Sequence, residues 1–222
     1  MTNSLFEKNR GKEGGALYFD RNKFHNIKKY INEINFDNII FKENFASYHG
    51  GAIYSKNDEI YSLKSSSVTF DRNKANIAGG AIFLSKLNID AQNKFQDGFE
   101  FNNNKATSHG ENIGTSPSLI KLEYSNNNTL SESNFQKYSI ITGSYLPLKF
   151  SLYDSFNNLV VDPDNFYSDI IIHILFYNNT IKTNDDDDDT IDNIDINKKY
   201  KIIGNVGSFS KGNVQYHYKF IH

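Results

Sequence analysis

Two aspartate–arginine pairs, Asp20–Arg21 and Asp71–Arg72, are the first groups in this sequence that could do chemistry. Hydrolysis or elimination of a polysaccharide requires carboxylates, with or without basic groups, clustered on one face of the protein. A carbohydrate-active enzyme is therefore one hypothesis, and it depends on whether the fold brings such groups together.

Other side chains could bind a metal ion. His49 and His109 each precede a glycine, and a close pair of imidazoles could share a metal. Asp185 to Asp189 form five adjacent carboxylates that could supply oxygen ligands to calcium. Calcium loops space their ligands and bend at a glycine, which this run does not do. A solvated hairpin loop over residues 183–193 is the better interpretation.

An internal repeat must position most of these groups. A phenylalanine is followed three residues later by an asparagine and, after a gap, by Gly-Gly-Ala-Ile/Leu-Tyr/Phe. The fourth copy departs from this pattern, with Glu111 and Asn112 in place of the second Gly and the Ala. The repeated positions are Phe6, Asn9, Gly14 and Gly15; Phe41, Asn44, Gly50 and Gly51; Phe70, Asn73, Gly79 and Gly80; and Phe101, Asn104 and Gly110.

Each repeated residue has a structural explanation. Apolar residues alternate before each later Phe, as in a strand with one buried face. The Asn ends the strand, because it tolerates left-handed backbone, and asparagines at one corner of stacked coils can form an amide ladder. Gly-Gly allows a sharp corner or a close approach between coils. One unit cannot bury its apolar face alone, so we predict a parallel β-helix of about four coils over residues 1–122. The pattern leaves open whether Ala or Ile of the GGAI segment faces the core.

The F-x-x-N and GGA[IL] motifs, over roughly residues 4–118, resemble the repeat of chlamydial polymorphic outer membrane proteins. Similar repeats occur in large surface proteins of protists such as slime moulds and ciliates. The fourth copy resembles the variant unit that often closes such arrays. The resemblance implies a right-handed parallel β-helix, an extracellular or cell-surface location and an adhesive or structural role. It implies no catalytic, cofactor-binding or metal-binding residues.

The repeat also weakens the catalytic and metal hypotheses. Lys42 and Glu43 occupy the places of Asp71 and Arg72 in the second copy, and two asparagines do so in the fourth. Because no single chemistry is kept, a solvated corner is predicted there. His49 and His109 occupy equivalent positions, but a copy with alanine lies between them. Exposed corner histidines are therefore favoured over a metal site, and we predict no enzyme activity and no cofactor.

Residues 137–222 form a different predicted domain, after a polar linker at 123–136. Apolar residues alternate from Leu146 to Leu152, a turn follows at 154–158, and a last strand runs from Val214 to Phe220. Short strands with turns between them suit an immunoglobulin-like β-sandwich. The segment LPLKFSLYDSFNNLV (146–160) resembles the opening strand pair of such modules beside protist β-helix arrays.

Composition restricts the partners. A net charge of −2 argues against nucleic acid or an acidic membrane surface. The longest apolar run, Ile170 to Tyr177, is too short to span a bilayer. The chain has no Cys, which excludes disulfides and thiolate metal sites. Sequons at Asn127 and Asn178 permit glycosylation.

No signal peptide is visible, and nothing before Phe6 could cap the first coil. We therefore expect this chain to be part of a longer surface protein that binds a protein or a glycan along an exposed strand face or loop. A ligand-sensing ectodomain of a membrane receptor, with a transmembrane segment after His222, is a further hypothesis. The sequence leaves the oligomeric state open.

Overall fold

A computed structural model describes residues 1–20, 35–56, 64–86, 98–124, 145–167, 169–173, 201–203, 206–208 and 213–221. Within these ranges the chain forms strands and turns and no helix, so the all-β prediction is confirmed. The chain divides into two compact units. The first is Met1–Ile120 with Leu152–Asp164, and the second is Lys121–Ser151 with Asn165–His222.

The first unit is a stack of four coils, each with three short strands. In chain order the strands are β1 (Thr2–Glu7), β2 (Arg10–Glu13), β3 (Leu17–Phe19), β4 (Asn35–Lys42), β5 (Phe45–His49), β6 (Ile53–Ser55), β7 (Lys64–Asp71), β8 (Lys74–Ala75), β9 (Ile82–Leu84), β10 (Phe99–Asn102), β11 (Lys105–Ala106) and β12 (Ile113–Thr115). Sheet A has the order β1-β4-β7-β10, sheet B has β2-β5-β8-β11, and sheet C has β3-β6-β9-β12. Neighbouring strands are parallel in all three sheets, as a parallel β-helix requires.

Aromatic rings stack along the interior of the coils. The ring centroids of Phe6 and Phe41 are 5.0 Å apart, those of Phe41 and Phe70 4.9 Å, and those of Phe70 and Phe101 5.2 Å. These distances are close to the spacing of hydrogen-bonded strands, about 4.8 Å. Each coil therefore contributes one phenylalanine to the core at the equivalent position, and the four rings form one stack.

Both apolar residues of the GGAI segment are buried. Ala52 is 0% exposed and Ile53 is 1% exposed, and both belong to the hydrophobic core. The following Tyr54 stacks between Tyr18 and Phe83 at centroid distances of 5.2 and 5.6 Å. The alternation that governs a flat strand therefore does not apply here, because the chain turns a corner between Ala and Ile.

The segment Leu152–Asp164 packs against the fourth coil. The buried carboxylate of Asp154 accepts a hydrogen bond from the Thr115 N–H at 3.0 Å, and Asn158 Nδ2 donates to the Ile113 carbonyl at 3.1 Å. Phe156 packs against the hydrophobic core. The predicted turn at 154–158 is present, with Asn157 N–H donating to the Asp154 carbonyl at 2.9 Å. This segment covers the last coil and satisfies backbone groups that no further coil pairs.

The second unit contains most of a four-stranded sheet. Its strands are β13 (Pro117–Tyr124), β14 (Tyr145–Asp154), β16 (Lys201–Ile203) and β18 (Asn213–Ile221), in the order β13-β14-β18-β16. β18 is antiparallel to both β14 and β16. A separate antiparallel pair joins β15 (Ile171–His173) to β17 (Val206–Ser208). The predicted strands over 146–152 and 214–220 are therefore present and pair with each other.

Candidate functional site

The corner after each repeat Phe, here called the FxxN corner, contains an asparagine ladder. Asn9 Nδ2 donates to Asn44 Oδ1 at 2.9 Å, Asn44 to Asn73 at 2.9 Å, and Asn73 to Asn104 at 3.0 Å. Each accepting oxygen also receives the backbone N–H of the asparagine in the preceding coil. In the second to fourth coils the amide donates as well to the carbonyl of the repeat Phe one coil earlier. The ladder thus satisfies buried backbone groups that the turn removes from the sheets.

Left-handed backbone occurs one residue before each asparagine, not at the asparagine itself. Lys8, Glu43, Arg72 and Asn103 have φ between 52° and 54°. The interpretation that Asn is used for its left-handed tolerance is therefore wrong at this corner. The residue before it makes the turn, and Asn is needed because its amide is buried and can both donate and accept.

The two glycines of each GG pair have different roles. Gly50 has φ of 67°, in the region that favours glycine. At Gly51 the constraint is space, since an added Cβ would lie 2.0 Å from the Gly80 carbonyl oxygen of the next coil. Gly15 and Gly80 face the next coil in the same way, at 2.1 Å. Glu111 holds this position in the last coil, where no fifth coil follows among the described residues, and a side chain fits there.

The charged residues of the FxxN corner alternate in sign from coil to coil. Lys42 Nζ lies 3.1 Å from Glu7 Oε1, and Arg72 Nη2 lies 3.0 Å from Glu43 Oε1. Lys8 also reaches Glu43, at 3.7 Å. The Lys42 ammonium beside Glu7 holds the pKa of that carboxyl below its usual value. The aligned copies read Glu-Lys, Lys-Glu, Asp-Arg and Asn-Asn, so the alternation of charge is visible in the sequence. Nevertheless, only a solvated corner is predicted from the sequence.

The remaining aspartate–arginine pair is not part of this corner. Asp20 Oδ2 accepts a hydrogen bond from Lys56 Nζ at 3.2 Å, one coil away, while Arg21 lies outside the described residues. In the described part of the chain no three His, Asp or Glu side chains are grouped so that they could hold a metal ion. Asp20 is thus paired with a cation of the neighbouring coil, whereas Asp71 Oδ2 lies 3.1 Å from Arg72 Nη2 of its own coil.

The prediction of exposed corner histidines is wrong for His109, which is 4% exposed. Its Nε2 contacts the Thr115 carbonyl at 2.8 Å, so Nε2 carries the proton, and Nδ1 accepts from Ser108 Oγ at 2.9 Å. Burial lowers the pKa of this imidazole. The reason for the error is that the His109 ring lies against the Thr115 carbonyl inside the fourth coil and not in the solvent.

His49 is mostly buried as well, and its ring lies 4.4 Å from the Phe83 ring. Burial, with a smaller contribution from His109, lowers the pKa of His49 to about 4. Its Nδ1 is buried without a hydrogen-bond partner in the described structure. Both imidazoles are consequently neutral near pH 7 and act as packing residues.

The outer face of sheet B carries exposed cations at the same register position of several coils. Arg10, Lys74 and Lys105 are exposed, and they align with each other through the register Arg10↔Phe45↔Lys74↔Lys105. Arg10 lies over the Phe45 ring at 5.5 Å, and Lys12 lies over the Tyr48 ring at 5.0 Å. Sequence reasoning missed this column, although in three of the four copies a basic residue directly follows the repeat Asn.

Several predicted features fall outside the described residues. These are the sequons at Asn127 and Asn178, the acidic run Asp185–Asp189, most of the linker at 123–136, and the second half of the apolar run Ile170–Tyr177. In the part of the chain that is described, no helix has the length and apolar character needed to cross a membrane.

Four coils held by asparagine ladders, glycine corners and stacked phenylalanines define a parallel β-helix repeat protein. The repeat is that of the Chlamydia polymorphic membrane protein family, whose model matches residues 38–56 and 67–85, in the second and third coils. The family expected from the FxxN and GGA[IL] motifs is therefore confirmed. No solved structure matches the chain.

A related protein supports the protist branch of these repeat proteins. A transmembrane domain-containing protein of Dictyostelium discoideum is 32% identical over 163 residues, covering 71% of this chain. The chain spans only 8% of the length of that relative.

Proposed function

We propose that this chain is a non-enzymatic structural or adhesive part of an extracellular or cell-surface protein. The first unit would be a rigid, right-handed β-helical rod, and the second would be an appended immunoglobulin-like module. The observation that carries the proposal is the use of the repeat residues. The asparagines, glycines and phenylalanines bond to or pack against the neighbouring coil, in a repeat that matches a membrane-protein family.

Two further observations support a surface role within a longer polypeptide. The chain corresponds to 8% of a relative whose name records a transmembrane domain. The exposed face of sheet B also offers cations and aromatic rings to a partner. The partner would be a protein or a glycan that binds along this strand face, and no cofactor is required.

The experiment that tests this proposal uses an antibody raised against residues 1–120 on intact cells of the source organism. Surface proteins are labelled with a biotin reagent that does not enter cells, captured on streptavidin and blotted. We expect a captured band much larger than the 25.4 kDa of this chain. A band that stays in the uncaptured fraction, with a cytosolic marker, would overturn the surface role.

The non-enzymatic part needs a separate test. Purified residues 1–222 are incubated with a panel of neutral and acidic polysaccharides, and new reducing ends and unsaturated products are measured. We expect no release above that of a heat-denatured control. Turnover that is lost when Asp20 or Asp71 is replaced by Asn would instead support a carbohydrate-active enzyme.

A further inference from the structure

The outer face of sheet B, defined as the exposed side chains of β2, β5, β8 and β11 and their next outward residues, concentrates unpaired positive charge. Arg10, Lys12, Lys74 and Lys105 are all exposed. None of the four makes an ion pair in the described structure, whereas Lys8, Lys42 and Arg72 at the FxxN corner all do. The only carboxylate within these four strands is Glu13, which is half-buried at the end of β2.

This arrangement has an electrostatic cost in the protein alone. Lys74 and Lys105 are direct partners in neighbouring parallel strands, which lie about 4.8 Å apart. Like charges directly opposite each other destabilise a sheet. A row of one sign of charge also raises the local concentration of oppositely charged ligands. The same repeat neutralises its charges at the FxxN corner, so the row of like charges is a local property of this face.

The rest of the face is polar and partly aromatic. Ser47, Asn76 and Thr107 are exposed beside the cations, at outward positions of the second, third and fourth coils. The rings of Phe45 and Tyr48 lie under Arg10 and Lys12. Hydroxyl and amide groups can bond to sugar hydroxyls, and the rings give an apolar surface on which a pyranose can pack.

We propose that the outer face of sheet B binds an acidic polysaccharide laid along the stack of coils. The distance from the first to the fourth coil is about 14 Å, three strand spacings. A linear polyanion carries negative groups at regular intervals and can therefore meet Arg10, Lys74 and Lys105 in succession. The proposal rests on the proposed surface function, and it specifies the ligand of that function as a glycan with sulfate or carboxylate groups.

The experiment measures binding of residues 1–222 to heparin, hyaluronan, neutral dextran and poly-glutamate by biolayer interferometry, at low and at physiological salt. Heparin carries sulfates and hyaluronan carries carboxylates only, so the two arms distinguish the anionic group. We expect binding to at least one of them and none to dextran. Affinity should fall several-fold between the two salt concentrations, because exposed charges are screened over a Debye length of about 8 Å at physiological salt.

The decisive variant is Lys74→Gln with Lys105→Gln, and its control is Lys8→Gln with Lys42→Gln. Both remove two positive charges, but the control removes cations that are paired with Glu43 and Glu7. We expect at least ten-fold weaker binding for the first variant and less than two-fold change for the control. The thermal midpoint of each variant, measured by circular dichroism, shows that both remain folded.

Three results would overturn the assignment. Equal loss in both variants would mean that binding follows net charge and not this face. Stronger binding to poly-glutamate than to either polysaccharide would assign the face to an acidic protein segment. Absence of binding to heparin and hyaluronan would remove the glycan. If surface labelling succeeds in that last case, the proposed surface function stands and only this inference fails.

Discussion

The FxxN corner and the outer face of sheet B are made by adjacent residues of one repeat, yet they handle polar groups differently. At the corner, the buried asparagine amides and most of the charges have a partner in a neighbouring coil. On the outer face, cations stack on cations without a carboxylate partner. The comparison separates residues that hold the coils together from residues that are available to a ligand. Substitutions at the corner should therefore change stability, and substitutions on the face should change binding.

The largest effect is expected where a corner has no space for a side chain. Gly51→Ala would place a Cβ 2.0 Å from the Gly80 carbonyl oxygen, and backbone on both sides cannot move without separating the coils. We expect the free energy of unfolding to fall by about 4 kcal/mol. The measurement is urea unfolding followed by circular dichroism. Glu111→Ala at the equivalent place in the last coil is the control, and a change below about 0.5 kcal/mol is expected there.

The next largest effect is expected in the asparagine ladder. Asn73→Ala removes two accepted and two donated hydrogen bonds and leaves buried partners unsatisfied. We expect a loss of about 3 kcal/mol, since each stranded buried polar group costs about 1–3 kcal/mol. Asn76→Ala, three residues later on the exposed face, should cost less than about 0.5 kcal/mol. Similar losses in the two variants would break the distinction between corner and face.

Acid should lower the free energy of unfolding through protonation of His49. The pKa of this imidazole is about 4 in the folded state, against 6.5 for an unperturbed histidine. Below pH 6.5 His49 is therefore protonated in the unfolded chain, whereas in the folded chain it stays neutral down to about pH 4. The free energy of unfolding should fall by about 2 kcal/mol between pH 7 and pH 5 on this account.

The pH prediction is checked by comparing urea unfolding of the original chain and of His49→Gln at both pH values. The variant should lose less stability on acidification than the original chain, with the difference near 2 kcal/mol. A variant whose stability responds to pH as strongly as the original would show that His49 does not titrate in this way.

The smallest effects concern exposed charge, and here the two regions should respond with opposite sign. Glu43→Lys replaces the partner of Lys8 and Arg72 by a like charge and should cost about 1 kcal/mol at low salt. Lys74→Gln removes repulsion from Lys105 and should raise stability by about 0.3 kcal/mol. Both differences should shrink in 1 M salt. A loss of stability in Lys74→Gln would mean that the row of cations is stabilised by an unrecognised partner.

Much of the β-helix could be predicted from the sequence, because its information is local and repeated. Each copy carries its own strand, its Asn and its glycine corner, so the structure of one coil predicts that of the next. The family assignment followed from these same residues and is confirmed. The sequence could not show which residue carries the left-handed turn, because several residue types adopt positive φ once the surrounding coils fix the corner. That residue proved to be Glu43 and its equivalents.

Features that depend on neighbours in the stack were decided only by the tertiary structure. Aligned copies contain the alternating charges, but their meaning appears when Glu7 and Lys42 lie side by side. Burial of His109 depends on Thr115 and on the way the fourth coil ends. Asp154, almost forty residues beyond, supplies a carboxylate to that coil.

The sequence by itself determined the class of fold, the number of coils and the residues that fill each coil. Those properties need only the periodicity of one repeat. The tertiary structure decided which charges are paired, which histidines are buried, and which face remains open to a ligand. Those properties depend on distances between coils. Residues about thirty positions apart in the sequence come to within about 4.8 Å of each other only when the coils stack.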